Sequence, residues 1–413
     1  MTIGIDASRA NKNDKTGTEW YSWHLIQELK KIVPVDIKVV LYTNEKLNGE
    51  LDNLPQNWQV KILSWPPKYL WTQLRLWWEL QINPPDVLLV PAHTIPLLPI
   101  PRSVKVAVNV HDVGFKRSPE LYKPIQVWYH DLTMRRIKAR ANVIITISKF
   151  SQEEIIELYG VRPEKIKVVY LGFDAKQYHS ADVIPSDPPT GGEESLSLNA
   201  SDFSTASPEG DSGRNDNEEG MAQNDILKKY GIVKPYLFYV GRLEKKKNIG
   251  NIVKAFALAK MKQEDLKLVL AGASGNQYEE IKSIISEAKL ENEVILTGYI
   301  DNQDMPALYS NAAVFVFPTL YEGFGLPILE AMASGVPVVT SNQLPHTEVG
   351  GQAALYAKPD SAEDIADKIT QLLTNSNLRQ EMIARGLNRV KEFSWQKTAA
   401  EIYQAIKSLA NNY

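Results

Sequence analysis

The sequence predicts two doubly wound α/β domains facing each other across a cleft. Three observations predict this. The chain has 413 residues, which at about 150 residues per domain implies two or three domains. Both halves alternate short apolar, β-branched runs with segments of helical spacing, the pattern of parallel sheets covered by helices on both faces. One segment, 178–224, breaks the alternation, and from 178 to 222 it carries ten acidic residues against one basic residue. It lacks the apolar surface needed to offset its ordering entropy, so it reads as an acidic disordered linker or insertion. The expected boundaries are therefore 1–177, the linker 178–224, 225–392, and a terminal helix 393–413 placed to cross back to the first domain.

Taken in chain order, Thr2–Ala7 is an apolar strand, and Glu19–Lys31 has helical spacing. Asp36–Tyr42, Asp86–Val90, Val104–Val110 and Asn142–Ile147 are short, β-branched and bounded by turn residues, so they read as strands. In the second half Tyr236–Val240, Leu266–Ala271, Val294–Thr297, Val314–Pro318 and Val336–Thr340 are strands. Helical stretches lie between them at Asn248–Lys260, Tyr278–Lys289 and Pro327–Ser334. The stretch Tyr69–Trp78 predicts a helix packed on the sheet through Leu70, Leu74, Trp77 and Trp78, which share one face. The alternative sets those aromatics on an acceptor- or membrane-facing surface. The run Arg135–Arg140 reads as a solvated helix face that anionic lipid can also use.

Composition narrows the function classes. Apolar residues make up 44% and charged residues 23%, close to an average soluble globular protein. The absence of cysteine excludes disulfides, thiolate metal sites and a cysteine nucleophile. The most apolar tract, Val87–Pro101, is broken by His93 and four prolines, so no membrane-spanning helix is expected. The N-terminal residues lack the basic and apolar regions of a signal peptide, and a cytoplasmic protein is expected. Neither half is strongly basic, which argues against nucleic acid as a partner. No His/Asp cluster demands a metal.

Two strings carry chemistry. In Phe315–Glu330 an apolar strand runs into a loop with Gly323 and Gly325, and Pro327 stands where a helix begins. The glycines let backbone approach a ligand closely, and the helix N-terminus offers N–H groups to an anion. Glu322 lies in the loop and Glu330 one turn into the helix, so both carboxylates can face one pocket and accept bonds from sugar hydroxyls. The competing reading is a tight strand-to-helix turn with two solvated glutamates. In Tyr239–Asn248, Arg242 offers a planar fork of donors and Lys247 a mobile point charge at a strand's carboxyl end. Such a pair suits a diphosphate, whereas Lys245 and Lys246 read as a basic surface turn.

From about Pro235 onward the chain resembles the retaining GT-B glycosyltransferases of the "group 1" class, glycosyltransferase family four. The resemblance rests on Gly241-Arg-Leu243 with Lys247, and on Glu322-Gly-Phe-Gly-Leu-Pro-x-x-Glu330-Ala331. Gly335, Pro337, Val338, the Leu296–Gly298 strand end and Phe393–Trp395 extend it. It implies two Rossmann-like domains around a nucleotide-sugar site, with no cofactor and no metal. Arg242 and Lys247 would hold the donor diphosphate and Glu330 the ribose. Glu322 and the amides of Gly323, Phe324, Gly325 and Leu326 would hold the transferred sugar. In the first half, Gly17 matches a glycine-containing loop near the donor phosphates. His111 ends a strand where the family often places a His beside the reacting sugar. Ser148 reads as a helix N-cap in a turn that also resembles the family's. Two departures stand out: Asn248 replaces the usual Gly, and Pro345–Glu348 looks two residues longer than the common form.

The resemblance implies a hexosyltransferase of polysaccharide biosynthesis. Its donor would be GDP-mannose ahead of UDP-sugars, and its acceptor a glycan or lipid-linked sugar, with peripheral contact at the inner face of the membrane. A nucleotide-sugar epimerase or phosphorylase on the same scaffold is the main alternative, and a non-catalytic binding protein the third.

Overall fold

The computed structural model describes residues 1–13, 15, 17–65, 70–179, 223–275 and 278–411. Thr16, Tyr69 and the acidic segment from 180 to 222 lie outside the described residues. Two parallel sheets organise the chain. The first contains β1 (Thr2–Asp6), β2 (Lys38–Thr43), β3 (Trp58–Ile62), β4 (Val87–Val90), β5 (Lys105–Asn109), β6 (Val143–Thr146) and β7 (Ile166–Val168), in the order β3-β2-β1-β4-β5-β6-β7. The second contains β8 (Tyr236–Val240), β9 (Lys267–Ala271), β10 (Val294–Gly298), β11 (Val314–Phe317), β12 (Val338–Ser341) and β13 (Ala354–Ala357), in the order β10-β9-β8-β11-β12-β13. These are the two α/β domains the alternating pattern predicts.

Each sheet reverses its strand order once, between β1 and β4 and between β8 and β11. At a reversal the adjoining connections diverge to opposite faces and leave a crevice at the strands' carboxyl ends. β1 leads to the helix Gly17–Ile32, β8 to Arg242, and β11 to Glu322. The two crevices therefore supply the walls of the cleft. The central strands are buried along nearly their whole length, as strands covered on both faces must be.

Every segment read as a strand contains one. The strands that the sequence reading misses, β3, β7 and β13, are sheet edges. β3 keeps intermediate exposure at most positions and β7 is three residues long, so neither shows the continuous apolar run of a central strand.

The expected face of the helix near Tyr69 is corrected by the structure. Trp71–Leu76 is a π-turn that runs into the helix Trp77–Ile82. The sheet side takes Trp71, Leu76 and Leu80, while Leu70, Leu74 and Trp78 are exposed. Both stripes are apolar, and a wider π-turn shifts the angular position of the residues after it. Hydrophobic spacing alone does not say which stripe turns inward. Arg135–Arg140 ends the helix Pro124–Arg140, with Arg135 and Lys138 exposed and Ile137 buried.

The chain leaves the first core after Val169 and enters the second at Phe173. It returns between Phe393, in the second core, and Trp395, in the first. The helix Trp395–Asn411 then packs Ala399, Ile402 and Ile406 with Leu25, Ile26 and Leu29 of the helix Gly17–Ile32. Ile402 is fully buried there. Ile402→Ala is expected to cost roughly 2–5 kcal/mol, the transfer loss plus a cavity. Denaturant unfolding should show this as a lowered midpoint of the transition that reports the first domain.

Candidate active site

The two crevices enclose a cavity of about 540 Å³. Eight of the residues singled out from sequence line it: Gly17 and His111 from the first domain, and Glu322, Gly323, Phe324, Gly325, Leu326 and Glu330 from the second. Arg242 and Lys247 are not in its lining. Lys247 adjoins the cavity through an ion pair with Glu322, both side chains being largely enclosed. Arg242 is exposed just beyond β8.

His111 lies just beyond β5. Its Nε2 is 3.2 Å from the carbonyl oxygen of Pro91. A carbonyl only accepts, so the hydrogen belongs on Nε2, and the neutral ring keeps Nδ1 as an acceptor. The ring stands edge-on to Tyr21, with centroids 4.5 Å apart. Desolvation lowers the His111 pKa, against the raising effect of the Asp112 charge.

The loop after β11 is shaped by backbone. Gly325 has φ of +104° and precedes the helix Leu326–Ala333. A β-carbon on it would strain that conformation and press on Ile328 and His346. Gly323 faces the first domain, where Asp112 would touch an added β-carbon at 3.3 Å. The Phe324 side chain is core, packing on Tyr170 and Phe393, so this residue's backbone faces the cavity. Pro327 has no N–H and Ile328 N donates to the Gly325 carbonyl at 3.0 Å, so at this helix start it is the Leu326 N–H that suits an anion.

Glu330 sits at the cavity floor, with its Oε2 accepting from Tyr309 Oη at 2.8 Å. Desolvation raises its pKa to about 7, with the Asp174 charge assisting and the Tyr309 bond opposing.

The sequence reading expects Ser148 as a helix N-cap, but several contacts across the cleft escape it. Ser148 is the N-cap of the helix Lys149–Tyr159, accepting from Ser151 N. It also donates to the Gly323 carbonyl at 2.8 Å. Ser151 Oγ donates to the His111 carbonyl at 2.9 Å. Glu348 reaches from the second domain to accept from Lys149 N at 2.7 Å. The unusual Pro345–Glu348 stretch thus opens a short helix, His346–Gly350, that spans the gap. His346 is buried between Thr319 and Ser341, 3.0 and 2.8 Å away, and burial pushes its pKa down to about 4. Asn248 has φ of +63°, a conformation that favours Gly and tolerates Asn. Its Nδ2 also bonds the carbonyls of Pro318 and Pro359. Spacing gives no signal for these contacts, because their partners lie far apart in sequence.

Two crevices joined in one cleft, with a glycine-shaped loop at a helix N-terminus, two carboxylates and a facing His, define a two-domain α/β architecture with a polar ligand cleft between the domains. Comparison with known proteins places the chain within that class. The description "Glycosyl transferases group 1" matches residues 223–389, and "Glycosyltransferase Family 4" matches 15–177. The O-antigen chain mannosyltransferase B of Escherichia coli is 31% identical over 313 residues, 75% of this chain and 72% of the relative. Sucrose-phosphate synthase from Thermosynechococcus elongatus superposes with a TM-score of 0.68 at 18% identity, covering 99% of each chain. Anabaena HepE in complex with UDP-glucose superposes with a TM-score of 0.66 at 17% identity, covering 98% of this chain and 99% of that one. The chain belongs to the group 1 glycosyltransferases, with the GT-B fold, and it is a hexosyltransferase.

The Glu330 pKa has a consequence for pH. A carboxyl whose folded pKa is raised stabilises the fold while protonated and loses that contribution as pH rises through about 7. Glu330→Gln should therefore raise the melting temperature relative to wild type above pH 7, and leave it nearly unchanged near pH 5. A scan of melting temperature against pH for the two proteins checks this.

Proposed function

We propose that the enzyme transfers a mannosyl residue from a nucleotide-diphosphate donor to a glycan or lipid-linked acceptor, with retention of the anomeric configuration. The observation that carries this reading is the cavity that holds His111 against the Glu322–Leu326 loop, with Glu330 on its floor. The mannosyltransferase relative supports mannose, and HepE, bound to UDP-glucose, supports a nucleotide sugar. GDP-mannose is the donor we favour, with UDP-sugars next.

In this reading the donor lies with its ribose hydroxyls on Glu330 and its diphosphate at the start of Leu326–Ala333, near Gly17. Before it arrives, Lys247 and Glu322 neutralise each other. The diphosphate competes for the ammonium of Lys247, which frees the Glu322 carboxylate for hydroxyls of the sugar. Arg242, exposed at the end of β8, folds over the same anion through its planar fork. Charge is thereby delivered to the leaving group by basic side chains and helix-end amides, without a metal.

As the anomeric C–O bond breaks, its electron pair passes to the diphosphate. The incoming hydroxyl attacks from the same face and gives its proton to a phosphate oxygen, so the leaving group serves as the base. His111 Nδ1 and Glu322 accept from sugar hydroxyls as positive charge builds at the anomeric carbon. The protein's part is positioning and electrostatic stabilisation in a closed site that excludes water.

His111→Ala and Glu322→Ala are expected to lower kcat far more than they weaken nucleoside-diphosphate binding. Arg242→Ala should instead cost about 2–4 kcal/mol of donor affinity, as loss of one partner of a desolvated charge pair does. Steady-state kinetics and calorimetric titration with GDP separate the two effects. NMR of the product's anomeric centre tests retention, and an inverted product would refute that step.

Transfer should also survive EDTA. Complete loss of activity in the chelator, restored by magnesium or manganese, would replace the basic side chains with a metal as the neutraliser of the diphosphate.

A further inference from the structure

The helical segment Trp71–Ile82 has two apolar stripes, and the sheet uses only one of them. The other, Leu74, Trp78 and Ile82, recurs every four residues along the outer side. Trp78 is 55% exposed and Ile82 57%. The loop 95–101 extends this surface. Trp77 Nε1 and Gln81 Nε2 donate to the Pro99 carbonyl at 2.8 and 3.0 Å, and from the far side Arg136 donates to the Leu98 carbonyl at 3.0 Å. Leu98, 41% exposed, thus lies between this segment and the helix Pro124–Arg140. On that helix Trp128 is 61% exposed, and it shares a face with Leu132 and Arg136 at four-residue spacing.

The same surface is cationic. Among the described residues, neither Arg136 nor Arg140 has a carboxylate within ion-pair distance. Arg140 instead donates to the carbonyls of Pro101 and Val104. Burial and the neighbouring Arg136 charge both lower the Arg140 pKa, so like charges gather here without a counter-charge.

We infer that this face of the first domain docks on an anionic lipid bilayer. Indole rings favour the boundary between headgroup and acyl chain, aliphatic side chains enter beneath it, and arginines reach the anionic headgroups. A second copy of the chain fits poorly, because a two-fold contact through this face would set its uncompensated arginines against each other.

Position gives the contact a purpose. The segment from Pro91 to Pro99 starts at the carbonyl that His111 bonds and ends on this surface. An acceptor anchored in the bilayer would therefore approach His111 from this side of the first domain. The acceptor's class rests on the transferase reading; the docking does not.

Sedimentation with vesicles, in the absence of donor and acceptor, tests the docking directly. The protein should bind vesicles of phosphatidylcholine with phosphatidylglycerol, bind phosphatidylcholine alone weakly, and lose affinity as salt is added. Trp78→Ser with Ile82→Ser should weaken binding by about tenfold or more, with the melting temperature and transfer to a soluble acceptor unchanged. Failure of the wild type to bind, or equal binding by the double variant, overturns the proposal. So does a wild-type dimer in light scattering that the double variant loses, which makes a second copy the occupant. Because vesicle binding is read without turnover, a protein that binds vesicles but transfers no mannose from GDP-mannose refutes the proposed mannosyl transfer alone.

Discussion

The carbonyl oxygen of Gly323 is the contact on which the site depends. It accepts from Ser148 across the cleft, at a point where Ser151 also holds the backbone of His111. Three groups far apart in sequence are thereby fixed within hydrogen-bond distances. A β-carbon on Gly323 would press on Asp112 at 3.3 Å, so the joint is tight at this residue. Glu348 adds a second tie by accepting from the first N–H of the helix that Ser148 caps. An anion at a helix N-terminus is a favourable partner, so the joint is polar and reversible. A cleft that must admit and release ligands requires that kind of contact.

Electrostatics obey the same economy. The site holds Glu322 and Glu330 together in one enclosure, and two free carboxylates there would repel each other. Lys247 pairs with the first, and burial raises the pKa of the second to about 7. His111 and His346 are disfavoured as cations for the same reason, loss of hydration. Ion pairing and burial thus each reduce the charge that these side chains bring to the enclosure.

Much of this is legible in the chain. The central strands announce themselves as apolar β-branched runs, and the Glu322–Glu330 string identifies the loop because glycine, proline and acidic residues succeed one another in an order few turns require. The edge strands β3 and β7 escape because one is only partly buried and the other is three residues long, whereas the edge strand β10 keeps enough apolar residues to be read. The outward stripe of Leu74 and Trp78 reads as an inward one because both sides of that segment are apolar and only packing chooses between them. Ser148 is legible as a helix N-cap, but its bond to Gly323 and the contacts of Ser151 and Glu348 lie beyond reach for a different reason: their partners are brought close by the domain arrangement, which no local pattern encodes. Asn248 looks like a departure from the family until its positive φ shows a conformation that Gly also adopts readily.

The two chain crossings between the domains touch. A β-carbon on Gly172 would fall 2.1 Å from the backbone nitrogen of Trp395, so the outgoing and returning strands pass through nearly one point. Two tethers that cross at a point act as a pivot. They resist sliding of one domain over the other and leave rotation as the soft motion. Displacement then grows with distance from the crossing, smallest beside Phe173 and Trp395 and largest at the far lip of the cleft. The terminal helix, anchored on the first domain by Ile402, is the counterweight that keeps the returning strand seated on its pivot.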